Sequence, residues 1–179
     1  ANLIISPNGS PYERGKLEIR HNVVQRRCIE SELPVIYINL IGGQDDQVFD
    51  GGSFVTDKTG KIKVQLPQFE EKEFLVEFEK SGKLLGPKTK FTALVGDETE
   101  QDYCAIVQGT REYVIKTGFE KVIIGLSGGI DSALVAAIAV DALGPEKVTC
   151  VRLPSQFSSK GSLSDADNLT DRLGCLTKT

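Results

Sequence analysis

Six consecutive residues, Ser127-Gly128-Gly129-Ile130-Asp131-Ser132, combine a permissive backbone, hydroxyl donors and a carboxylate. Gly128 and Gly129 let the main chain approach a ligand closely and take positive φ, while the hydroxyls of Ser127 and Ser132 can donate to phosphate oxygens. Asp131 would repel a phosphate unless a cation stood between them. Its place in the loop therefore predicts a Mg²⁺ ion bridging a carboxylate oxygen and the phosphates. The loop lacks the Gly-Lys-Ser/Thr ending of a Walker A motif, which disfavours transfer of a terminal phosphate by that machinery. Two glycines alone would make only a tight turn, with Asp131 and Ser132 satisfying a helix start. The flanking elements decide between the readings.

Those elements favour an anion site. Lys121 to Leu126 is a β-branched run that predicts a fully buried parallel strand, with Gly125 and Leu126 leading into the loop. Ala133 to Leu143 is a strongly helix-forming apolar run ended by Gly144-Pro145, and Lys147 to Leu153 supplies a second buried strand. Strand, glycine turn, helix and strand make a βαβ unit whose ligand site lies beyond the strand ends. Free N–H groups and the helix dipole favour an anion there. Just upstream, Gln101 to Thr117 reads as a helix ended by Gly118.

The N-terminal half has a different rhythm. Leu3 to Ser6 predicts a strand ended by the turn Pro7 to Pro11. Lys16 to Ser31 predicts a helix, with Leu17, Val23, Val24 and Cys28 at helical spacing, followed by Pro34 and a strand over Val35 to Ile41. After Asp50-Gly51-Gly52, the Thr59-Gly60 turn joins Ser53 to Thr56 and Lys61 to Leu66 as a hairpin. Phe69 to Glu79 interleaves charge with Phe74, Val76 and Phe78 and predicts a half-exposed edge strand with its carboxylates in water. Gly82 to Glu100 has no sustained periodicity and reads as a connector. The division expected is residues 1–88, a linker over 89–100, and residues 101–179.

Composition sets limits. At 40% hydrophobic and 26% charged, the 179 residues can bury a core. A net charge of -4 argues against a broad basic surface for nucleic acid, so phosphate chemistry is expected to be local. The longest apolar run, Ser132 to Val140, is far short of the roughly 20 residues of a membrane span, and with no basic stretch before an apolar core at the first residues given, no export signal is expected. Cys28, Cys104, Cys150 and Cys175 are widely spaced and form neither a metal pattern nor a disulfide framework, which suits a reducing cytoplasm. A start at Ala1 and the lack of any Met point to an internal piece of a longer protein.

The 127–132 loop resembles the SGGxDS pyrophosphate-binding loop of the N-type ATP pyrophosphatases, which attack ATP at its α-phosphate. Within that group, Leu153-Pro154-Ser155-Gln156-Phe157-Ser158-Ser159 and Gly161 to Ala166 resemble the segment after the second strand in the glutamine-dependent NAD synthetase family. The resemblance implies that the backbone near Leu153 lies beside the adenine and that Ser158 and Ser159 are near the nucleotide. Gln156 stands where the family more often has Arg, and Leu153 where it has Met.

The N-terminal half points to the same family. Asn8-Gly9-Ser10-Pro11-Tyr12-Glu13-Arg14-Gly15-Lys16 resembles the glutamine-binding segment of nitrilase-fold glutaminases, with Gly9 where Ala is usual. Pro34 to Leu40, Gly42 to Asp45 and Phe49 to Ser53 resemble the strand and loop that follow. The resemblance implies that Ser10 and Lys16 contact the amino-acid head of glutamine, roles that suit a hydroxyl and an ammonium facing a carboxylate. That family activates a thiolate with a Glu–Lys–Cys set whose Cys precedes the Asn-x-Ser-Pro segment. No Cys precedes Ser10, so no catalytic residue of the glutaminase is expected within the chain. Cys28 reads as a partly buried helix residue, and His21, the single histidine, as a surface helix residue.

The implied fold is part of a nitrilase-like α/β sandwich followed by the start of a Rossmann-like parallel-sheet domain. The implied reaction is ATP-dependent amidation of deamido-NAD, with ATP, glutamine and Mg²⁺ as ligands and assembly into a large homo-oligomer. Two other readings stand beside it. One is a different acceptor for the same ATP loop, as in GMP synthetase, asparagine synthetase or tRNA-thiolating relatives, against all of which the nitrilase-like half argues. The other is a non-catalytic nucleotide-binding or assembly fragment, the behaviour expected of these 179 residues alone.

Overall fold

The computed structural model describes residues 1–86, 90–91, 96–152 and 160–179. It divides into two compact units, one made of Ala1–Gly42 with Asp46–Ala105 and the other of Gly43–Asp45 with Ile106–Thr179.

In the first unit, β1 (Ile4–Asn8) leads through α1 (Lys16–Ser31) to β2 (Val35–Asn39), which lies parallel to β1. The predicted turn begins later than its composition suggests, because Pro7 and Asn8 continue β1. β1 is the edge of its sheet, where a residue without an N–H costs no ladder bond on the outer side. The expected strand through Ile41 breaks at Leu40; β3 (Ile41–Gln44), of which only Ile41 and Gly42 belong to this unit, and β4 (Gln47–Asp50) follow. β5 (Phe54–Thr56) and β6 (Ile62–Gln65) form the expected antiparallel hairpin, and β9 (Lys90–Phe91) runs parallel to β6, giving the order β1-β2-β5-β6-β9.

α1 has the bounds read from sequence but a different inner face. Arg20, Val24 and Cys28, at i, i+4 and i+8, are its buried residues, whereas Val23 is exposed. Val24 and Cys28 pack with Val35, Tyr37 and Phe54, and Tyr37 stacks on Phe54 at 4.9 Å between ring centroids. His21 is half-buried rather than a surface residue. Its ring meets Phe54 edge-on at 4.6 Å, Nε2 lies 3.0 Å from Gln65 Oε1, and burial lowers its pKa.

Phe69 to Glu79 is not an edge strand. Phe74, Val76 and Phe78 are half-buried and Leu75 and Glu77 exposed, so the alternation is real. Ladder pairing is confined to β7 (Glu77–Phe78) against β8 (Leu84–Gly86). Side-chain alternation needs only one covered face, whereas a strand also needs a neighbouring backbone.

The β5–β6 turn is closed by Asp57. One carboxylate oxygen accepts from Thr59 N (2.9 Å), Thr59 Oγ1 (2.6 Å) and Lys61 N (3.1 Å), and the other pairs with Lys63 at 3.1 Å. Burial works against the charge, but these donors outweigh it and hold the Asp57 pKa below its ordinary value. A lowered folded-state pKa gives stability that is present above the unfolded value near 3.9 and lost as pH falls through the folded one. Asp57→Ala is expected to cost about 1–2 kcal/mol at neutral pH. Urea denaturation at pH 7 and below pH 3 checks this, with the difference from wild type shrinking in acid.

In the second unit, the residues of α2 (Glu98–Lys116) from Ile106 onward end at Gly118, which takes φ 81°. Gly118 N–H donates to Ile115 O (3.1 Å) and Phe119 N–H to Val114 O (3.0 Å), the double closure that favours glycine. β10 (Val122–Leu126), α3 (Ile130–Leu143), β11 (Val148–Arg152), α4 (Lys160–Leu173) and β12 (Leu176–Lys178) follow, and the three strands are parallel in the order β10-β11-β12. Leu126, Ala136, Ala139, Val148, Cys150 and Ala166 form the core, where the alanines let α3 lie close to the strands. Arg111 donates to the carbonyls of Ala142 (2.8 Å) and Asp141 (3.1 Å) at the end of α3. β10 is not fully buried. Val122, Ile124 and Leu126 face the core, whereas Ile123 is 76% exposed, because α3 and α4 cover one face of the sheet.

Candidate functional site

The 127–132 loop lies between β10 and α3, at the strand end where a βαβ unit places its ligand. Gly128 takes φ 80°, a conformation that strains any other residue. Gly129 is the N-cap of α3, in extended conformation, and no side chain caps the helix. Asp131 and Ser132 therefore do not play the simple capping role. The first helical closure joins Ala133 N–H to Gly129 O at 3.2 Å, so the N–H groups of Ile130, Asp131 and Ser132 precede it.

The two serines knit the loop. Ser132 Oγ donates to Gly129 O (3.0 Å) and accepts from Ser127 N–H (3.2 Å), and Ser127 Oγ accepts from Gly129 N–H (3.2 Å). The hydroxyls lie 3.1 Å apart. Leu126 is buried, so its part in a site is through its backbone, while Gly125, Ile130 and Asp131 are exposed. The Asp131 side chain makes no hydrogen bond or ion pair with the described residues. Leu153 and Ser158, the expected adenine-side and nucleotide-side positions, lie outside the described residues, as does Ser159.

A cleft of about 480 Å³ opens over the loop. Its other lining is α4, through Asp165, which lies in the Gly161 to Ala166 segment, and through Asn168 and Arg172, which sequence reading did not single out. The signal was available. Asn168 and Arg172 stand four apart on the side of α4 away from Ala166, Leu169 and Leu173, which join the core. Among the described residues no three of His, Cys, Asp or Glu cluster as a metal cage. One exposed carboxylate beside an uncapped helix start nevertheless fits Mg²⁺, which is usually held by one or two carboxylates together with water and substrate phosphates.

In the first unit, Ser10 follows β1 and is held on every side. Its N–H donates to Asn39 Oδ1 (2.9 Å), its carbonyl accepts from Asn39 Nδ2 (3.0 Å) and Arg20 Nη2 (2.9 Å), and its Oγ accepts from Arg20 Nε (3.0 Å). Arg20 in turn pairs with Asp50 at 2.9 Å, with both side chains almost fully buried. Gln68 Nε2 donates to Asp50 Oδ2 at 3.0 Å. Lys16 opens α1, with Nζ 2.9 Å from Glu13, whose pKa it lowers. Between them Tyr12 donates to Asp102 (2.8 Å), which also pairs with Arg14. Burial and the Asp102 carboxylate push the Tyr12 pKa up to about 12, so its hydroxyl stays a donor.

The thiols do not read as nucleophiles. Cys28 is fully buried, with Sγ 3.0 Å from Thr56 Oγ1, and burial raises its pKa. Burial also raises Cys104, and burial together with Cys175, 3.6 Å away, pushes Cys150 up to about 12. A nucleophilic cysteine needs the opposite shift.

Comparisons with known proteins divide the chain in the same order. Residues 1–81 match the carbon-nitrogen hydrolase family and residues 103–179 match the NAD synthase family. The whole chain is 51% identical to a glutamine-dependent NAD(+) synthetase of Rhodobacter capsulatus, and 99% of it aligns at 44% identity with that of Synechocystis. It spans only 32% of the length of each of these relatives. Among solved structures it resembles the glutamine-dependent NAD+ synthetase from Acinetobacter baumannii in complex with ADP. There the TM-score is 0.89 at 40% identity, with 99% of this chain and 34% of that one covered.

Proposed function

We propose that the intact protein is a glutamine-dependent NAD synthetase, from the premise that residues 1–81 match the carbon-nitrogen hydrolase family and residues 103–179 the NAD synthase family. It would join the carboxylate of deamido-NAD to AMP from ATP, with release of pyrophosphate, and let ammonia from glutamine displace the AMP. The domains would be a nitrilase-like part over 1–88, a linker over 89–100 and the start of a Rossmann-like synthetase over 101–179.

The observation that carries this reading is the uncapped start of α3 beneath an open cleft at the end of β10. The backbone N–H groups of Ile130, Asp131 and Ser132 would hold the pyrophosphate as negative charge grows on it, an electrostatic role that needs no proton transfer. The Ser127–Ser132 bonds keep the loop in shape, and Gly128 and Gly129 leave room for the phosphates. Asp131 would hold Mg²⁺, which would neutralise phosphate charge when bound. Leu153 and Ser158 would flank the nucleotide, and Ser10 and Lys16 would take the glutamine head group.

Supplying the intact protein with ATP, Mg²⁺, deamido-NAD and ammonia tests the synthetase reading: NAD and AMP should form in equal amounts, and no NAD would overturn it. These 179 residues alone should release no glutamate from glutamine, because Cys28 is buried with a raised pKa. Glutamate release abolished by Cys28→Ala would assign the nucleophile to Cys28 instead.

A further inference from the structure

Arg20 is buried, and all three of its guanidinium nitrogens are occupied. Nε donates to Ser10 Oγ (3.0 Å), Nη1 donates to both oxygens of Asp50 (2.9 and 3.1 Å), and Nη2 donates to the carbonyls of Ser10 and Pro11 (both 2.9 Å). Each of the three nitrogens therefore already has a partner within the protein. The same bonds fix the Ser10 hydroxyl. Its oxygen accepts from Arg20, so its single proton must point away from the guanidinium, and it meets no acceptor among the described residues. Asn39 pins the peptide groups on both sides of the same residue.

We infer that Arg20 is a positioning residue of the amino-acid head-group site, which presents the Ser10 hydroxyl proton outward as a preset donor to a substrate carboxylate. The inference rests on the glutamine reading of Ser10 and Lys16 proposed above. The five bonds need the planar fork of arginine. Lysine would keep the charge beside Asp50 but, as a compact point charge, could not hold the Ser10 hydroxyl and both carbonyls together. An oriented donor set in advance favours binding because its orientation is not lost when the ligand arrives.

The test uses the intact protein with glutamine as nitrogen source. Arg20→Lys should raise the KM for glutamine about tenfold, the loss expected for one well-placed hydrogen bond to a charged group, with a smaller change in kcat. Ser10→Ala should raise KM by a similar factor. The double variant should be no worse than Ser10→Ala alone, because Arg20 acts through that hydroxyl. Thermal unfolding serves as the control for folding. If Arg20→Lys does not fold, Asp50→Glu is the second variant: it keeps the ion pair but displaces the guanidinium, and should raise KM only where Ser10 is present. Fully additive effects, or a wild-type KM in the folded Arg20 or Asp50 variant while Ser10→Ala is impaired, would overturn the positioning role. A wild-type KM in Ser10→Ala would instead sink the glutamine reading of this segment and the inference with it.

Discussion

Asp131→Asn in the intact protein is expected to lower ATP–pyrophosphate exchange by about 10²-fold or more, the loss typical of removing a preorganised charge-stabilising group. Asp131 is exposed, lies at the second position of α3 and its side chain bonds to none of the described residues, so it does no structural work that asparagine would fail to do. The N-cap is Gly129, and the loop is knit by Ser127 and Ser132. A carboxylate left free beside uncapped N–H groups is therefore best explained by a cation that shares the phosphates with it. Exchange measured with saturating deamido-NAD and varied Mg²⁺ should show both the lower rate and a weaker dependence on the metal, while the unfolding temperature stays within a degree or two, as for surface substitutions. Native exchange with an unchanged Mg²⁺ profile would reduce Asp131 to a favourable charge at a helix start.

Asp50→Ala is expected to destabilise the first unit by about 3–5 kcal/mol, since it leaves the Arg20 guanidinium buried without its counter-charge. Both side chains are almost completely removed from solvent, and Gln68 Nε2 loses its acceptor in the same change. A surface pair such as Arg27–Glu30 gives no comparable penalty, because water replaces the lost partner. Amide hydrogen exchange in β2 and β5, the strands that carry Asn39 and Phe54, reads the effect within the intact protein. Protection there should fall by roughly two to three and a half orders of magnitude, at about tenfold per 1.4 kcal/mol. A loss below about 1 kcal/mol would mean that water reaches Arg20 and that the pair is not sealed.

The two predictions concern residues that differ in how far the sequence reveals them. Asp131 sits inside a contiguous motif, and everything needed to suspect it lies within ten residues on either side. Asp50 is thirty residues from Arg20, and nothing local marks the two as partners. An arginine on a helix is ordinarily taken as solvated. The one hint was its spacing: Arg20 stands four before Val24 and eight before Cys28, on the stripe that turned inward. Val23, chosen for its hydrophobicity, lies off that stripe.

Much of the chain was legible because the determining forces act over short stretches. Helical periodicity between Gly15 and Pro34 set α1, Gly118 and Gly144 ended their helices by taking positive φ, Thr59-Gly60 set the β5–β6 hairpin, and the strand–glycine–helix order set the place of the loop between β10 and α3. Tertiary structure alone decided the rest. It paired Arg20 with Asp50, half-buried His21 against Phe54, left Ile123 exposed on one face of β10, denied Phe69 to Val76 a ladder and brought Asn168 and Arg172 to the cleft. The division follows from physics: turns, caps and amphipathic faces are fixed by near neighbours along the chain, whereas burial, ladder pairing and the meeting of charges depend on which distant surface arrives opposite.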